Sequence, residues 1–146
     1  MRAKLGLYNN EAGDESLIND LLQLMLRFQA DYTNTFRFLT IDKKDDMDMF
    51  SSPEFHHWNN RWQARTQRQA KSKDEIETLM KSRNPAVIPR NHRVEEALGT
   101  AEKGDLSLMN KLLITLNNPY GYTPGQEEYV KPPVSASCRY QTFCGT

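Results

Sequence analysis

The sequence predicts a mainly α fold: a helical domain over residues 1–119 and an extended Pro/Tyr-rich tail over 120–146. Three observations predict it. Apolar residues recur at i, i+3 and i+4 in successive stretches, the period of a core-facing helix. Asn-Pro and Gly-Asp pairs punctuate those stretches where helices stop and restart. After Pro119 the chain turns rich in Tyr, Pro and Gly, which read as loop and extended chain. Length priors and periodicity together give about five to seven helices.

Composition bounds the rest. At 146 residues and 38% hydrophobic content the chain is one domain or a piece of a larger one. A mean hydropathy of −0.76 implies a thin core, or one completed by residues outside this chain. Nineteen basic and nineteen acidic residues cancel, so no global field argues for nucleic acid or a membrane. No apolar run approaches the ~20 residues that span a bilayer, and Leu5-Gly6-Leu7 is too short for a secretory signal. A cytoplasmic location is the expectation. The two cysteines, Cys138 and Cys144, make no disulfide framework.

Taken in order, Met1–Leu7 is half apolar and does not read as the natural start of a domain. Asp14 reads as the N-cap of a strong helix in which Leu17, Ile18, Leu21, Leu22, Met25 and Phe28 share a face. Leu24 and Leu26 widen that stripe and suggest burial on more than one side. Asp31 caps a shorter helix, Tyr32–Leu39, with Phe36 and Leu39 buried and Arg37 outward. Four aspartates between Asp42 and Asp48 raise the question of a calcium loop. The sixth position from Asp42 is Met47 and the twelfth is Pro53, where an EF-hand needs Gly and Glu, so a solvated loop is the reading.

Ser51 or Ser52 caps the next helix, with Pro53 in its first turn and Phe55, Trp58 and Trp62 as an aromatic stripe. With Arg61, Arg65 and Arg68 nearby, that stripe could stack single-stranded bases. It is more simply core, with arginine stems lying along it. From Arg61 to Arg93 nine Lys/Arg face three Asp/Glu, a local excess that fits an acidic partner. No groove-reading motif accompanies it, so nucleic acid is disfavoured. His56 and His57 point about 100° apart on a helix, and His92 is remote, so no metal site is assigned. A further helix follows over Asp74–Lys81, opened by Ser72 or Lys73-Asp74.

Asn84-Pro85 then blocks continuation, and a helical hairpin follows. Val94, Ala97, Leu98 and Ala101 stripe its first helix, which starts near Pro89-Arg90 and ends at Gly104. Asp105 caps the second, striped by Leu106, Met109, Leu112, Leu113 and Leu116 and stopped by Asn118-Pro119. The hairpin must bury its leucines against something. It holds no nucleophile–base pair and no phosphate loop.

The ordered set of marks is family-specific. Arg2-Ala3-Lys4-Leu5-Gly6-Leu7 is followed by Asp31-Tyr32-Thr33-Asn34-Thr35-Phe36-Arg37. Asn84-Pro85, Ile88, Arg90-Asn91, Ala101, Gly104-Asp105 and Asn118-Pro119-Tyr120 come next, then Pro132-Pro133 and a Cys third from the end. This set resembles the C-terminal region of selenoprotein O-type protein adenylyltransferases. The resemblance implies a longer parent of protein-kinase-like fold that binds ATP with magnesium and transfers AMP to protein hydroxyls. The glycine-rich loop, Lys–Glu pair and metal-binding Asp and Asn of such an enzyme are not recognisable here. No catalytic, cofactor or metal residue is therefore carried over, and the chain alone should not catalyse. Its partners would be the missing N-terminal kinase-like lobe and the parent's protein substrates. Cys144 looks like the family's C-terminal Cys or selenocysteine position, which makes it the redox candidate, with Cys138 or a thiol outside the chain as partner. The alternative is a free-standing helical interaction module using the Arg61–Arg93 face or the Trp58/Trp62 surface.

Overall fold

A computed structural model describes residues 1–43 and 47–133. Among them are six α-helices: α1 (Asp14–Arg27), α2 (Tyr32–Thr40), α3 (Pro53–Gln67), α4 (Lys73–Lys81), α5 (Asn91–Ala101) and α6 (Ser107–Leu116). Short 3-10 helices at Arg2–Leu5, Asp48–Ser51 and Pro124–Gln126 complete the regular structure. No described helix is long and apolar enough to cross a membrane.

The core is built where the apolar spacing placed it. Leu17, Leu21 and Met25 of α1 meet Phe55, Trp58 and Trp62 of α3, with Phe36, Phe38 and Leu39 of α2 beside them. Phe50, Phe55, Trp58 and Trp62 run as a chain of ring contacts, the two tryptophans stacked at 5.6 Å. Each buried indole also finds its acceptor: Trp58 Nε1–H donates to Leu17 O and Trp62 Nε1–H to Leu5 O. Both tryptophans are buried, so they are not the interaction surface of the alternative reading.

The first residues are central. Leu5 and Leu7 are buried in the core. Gly6, at φ +71°, turns the chain between them. A Cβ there would lie 2.5 Å from Ile76 Cγ2 of α4, so the close approach and the left-handed backbone both require glycine.

Local chemistry sets several helix ends as expected. Asp31 caps α2 through the Asn34 amide, Ser52 caps α3 through the Phe55 amide, and Ser72 with Glu75 forms a capping box on α4. Gly104 takes the left-handed conformation after α5, at φ +89°.

Five expectations are corrected. The residue capping α1 is Gly13, and Asp14 is a buried first-turn residue that pairs with Arg65. Arg37 is not outward: it is 3% exposed, because the tail returns over α2 and covers the face that looked free. Leu26 is 73% exposed, so α1 is buried on one side only. The hairpin packs α5 on α6, but Leu98, Leu106 and Leu113 stay largely exposed and only Ala97 and Leu112 are fully buried. Asp105 does its expected work one step out of register: Leu106 occupies the cap position, and Asp105 Oδ1 accepts from Ser107 N–H.

The described part of the tail, residues 120–133, is tied down. Tyr122 O–H donates to Asn84 O at 2.7 Å, and Gln126 Nε2–H donates to Asn118 O. Val130 is buried.

Candidate functional site

The densest polar constellation joins α2, the start of α5 and the tail. Asp31 stands at its centre because the same carboxylate that caps α2 also takes the guanidinium of Arg90. Nη1 donates to Oδ2 at 2.5 Å and Nη2 to Oδ1 at 2.9 Å, a bidentate fork. Arg90 Nη2 reaches on to Val130 O, which also accepts from Asn34 Nδ2 at 3.0 Å. One turn along α2, Arg37 Nη2 donates to Glu127 Oε1 at 2.7 Å. Burial pushes the Asp31 carboxyl upward, but the Arg90 guanidinium and the Asn34 amide outweigh it, and the net position is below the ordinary 3.8. Beside this junction lies an open cleft of about 780 Å³ lined by Phe28, Asn34, Phe38, Met47 and Val130 among others.

Asn84 forms a second knot and is fully buried. Its Nδ2 donates to Lys4 O at 2.8 Å and Thr40 Oγ1 at 2.9 Å, and its Oδ1 accepts from Lys4 Nζ at 3.3 Å. Its amide donates to Met80 O, and its carbonyl accepts from Tyr122. Four parts of the chain thus meet on one side chain and its backbone. Sequence reading saw only a helix stop in Asn84-Pro85, because the partners lie up to 80 residues away.

The third cluster is Asp14 with Arg65, both nearly inaccessible to solvent. Arg65 Nε donates to Asp14 Oδ1 at 2.7 Å, Nη2 reaches Asn9 O, and Nη1 lies 3.1 Å from Glu11 Oε1. Burial raises the Asp14 carboxyl, and the Arg65 hydrogen bond and charge bring it below its ordinary value.

The remaining sequence candidates resolve in the same terms. The Arg61–Arg93 run is largely engaged within the chain: Arg61 with Asp20, Arg68 with Glu11, Lys71 with Glu75, Lys81 with Glu77 and Arg93 with Glu96. His56 and His57 are exposed on α3. His92 at the start of α5 is lowered by burial and by Arg93 and Arg90. Among the described residues no three His, Cys, Asp or Glu side chains gather to hold a metal ion. Cys138 and Cys144, and Asp45 and Asp46 of the acidic loop, lie outside the described residues.

The residues that carry the family resemblance are therefore the ones that tie elements together, and comparison with known proteins bears the family out. The family described as protein adenylyltransferase SelO matches residues 1–117. A protein nucleotidyltransferase YdiU of Clostridium beijerinckii is 53% identical over the whole chain, and one of Bacillus anthracis is 54% identical. The chain spans 30% of the length of each of these relatives. The expected C-terminal placement is corrected: the match takes the N-terminal part, residues 1–117, and the tail with both cysteines falls beyond it. The chain belongs to the protein adenylyltransferase SelO family.

Proposed function

We propose that this chain is a helical scaffold within an ATP-dependent protein adenylyltransferase, and that AMP transfer to protein hydroxyls is performed by the rest of a longer polypeptide of kinase-like fold. The observation that carries the reading is how the signature residues use their polar groups. Asp31, Asn34, Arg37, Asn84 and Arg90 all bond to other elements of the same chain. A carboxylate forked by arginine is not poised to bind magnesium, and the buried arginines already hold carboxylates. These residues therefore do not make an ATP–magnesium site, and no step is derived through one. Protein substrates and a cytoplasmic setting belong to the same reading, as does Cys144 as redox residue with Cys138 as candidate partner. Neither surface of the free-standing interaction module is offered, since Trp58 and Trp62 are core and the basic run is largely paired.

The test is transfer of label from ATP labelled in its α-phosphate, by the longer polypeptide carrying Arg90→Ala. A scaffold role predicts that transfer and melting temperature fall together, and that cooling restores transfer. Loss of transfer with unchanged melting would place Arg90 in the catalytic machinery and overturn the reading.

A further inference from the structure

The side of α6 away from α5 keeps part of its apolar surface exposed: Leu106, Leu113 and Ile114 are exposed, and Met109 and Leu116 are half-buried. Leu106, Met109, Leu113 and Leu116 fall at i, i+3, i+7 and i+10, the spacing of a helix seam. Leu106 is 55% and Leu113 57% exposed, and Ile114 beside them is 75% exposed. Scattered exposed leucines are ordinary, but a contiguous apolar stripe along a whole helix marks a contact surface. The stripe is also held in place. Gln126 Nε2 bonds Thr115 O and Asn118 O at the end of α6. Pro119 O accepts from the Ala86 and Val87 amides. The hairpin is thus anchored at its base and leaves Leu106, Leu113 and Ile114 exposed on its outer side.

We propose that this stripe docks onto an apolar surface in the remainder of the same polypeptide. The inference rests on reading the chain as one part of a longer family protein. Two arguments select that occupant over a second copy. The relatives contain more than twice as much chain outside the matched segment as within it. The stripe is also short: Leu106–Leu116 is about 16 Å of helix. A free dimer needs about 800 Å² per partner, which a three-turn helix hardly supplies. A tethered partner needs far less, because linkage replaces association with an effective concentration in the ~mM range.

Hydroxyl-radical footprinting of the unaltered longer polypeptide, read residue by residue by mass spectrometry, tests this without any substitution. Docking predicts that Leu106, Leu113 and Ile114 react at least about fivefold more slowly than in the urea-unfolded chain, as the core residue Leu21 does. Reaction close to the unfolded rate overturns the proposal. Protection that disappears on dilution also overturns it, since that marks a second copy. AMP transfer measured on the same preparation separates the two readings. Protection without transfer keeps the docking and removes the enzyme, and transfer without protection does the reverse.

Discussion

Asn84 shows how much one residue can organise. It is uncharged and has no chemistry of its own, yet it is fully buried with its amide, carbonyl and side chain all partnered. Replacing it with Ala removes three side-chain hydrogen bonds and leaves the Lys4 carbonyl without its donor. At about 1 kcal/mol net for each bond, plus a buried group left unpaired, the expected loss is about 3–4 kcal/mol. Urea unfolding followed by circular dichroism measures it; a loss below about 1 kcal/mol would show that water replaces the side chain. Single residues were the least legible scale. Arg37 looks like an ordinary outward arginine and Arg65 like a stem along the aromatic stripe, because their carboxylate partners lie 90 and 51 residues away. Asp14 looks like a cap because acids before apolar runs are usually caps. Here a glycine with positive φ occupies the cap position, with no side-chain cap bond, and Asp14 pairs with Arg65 instead.

At the scale of elements, helix positions followed from periodicity and punctuation. The caps at Asp31, Ser52 and Ser72 and the stop at Gly104 are local chemistry, readable within four residues. How elements join was not readable, because it depends on the tail returning over α2. That join carries a pH signature. The Asp31 carboxyl is lowered in the folded chain, the net of burial opposed by Arg90 and Asn34. Its contribution is complete above the unfolded value of 3.8 and is lost as pH falls through the lower folded value. Asp31→Asn removes the ion pair and is expected to cost about 1–3 kcal/mol at pH 7. The cost should shrink toward strongly acid pH, where native Asp31 is itself protonated. Urea midpoints of the two proteins measured from pH 7 down to about pH 2 should therefore converge; parallel curves would show that the Asp31–Arg90 fork does not couple to folding.

For the whole molecule, the mainly helical class was legible, and its placement in a longer protein and its role were not. A thin core was expected from the polar composition. It is built from aromatic side chains of α2 and α3 around Leu5, Leu17 and Leu21. The hairpin leucines were expected to be buried against something, and nothing in a stripe's spacing says whether that partner lies within the same chain. Their exposure, the largely paired basic run and the structural use of the signature residues support the proposed scaffold role. The central claim is that the nucleotide site lies elsewhere. Isothermal calorimetry of the folded 146-residue chain with ATP and magnesium tests it most directly. The account predicts no saturable heat, whereas magnesium-dependent ATP binding in the ~μM range would contradict it.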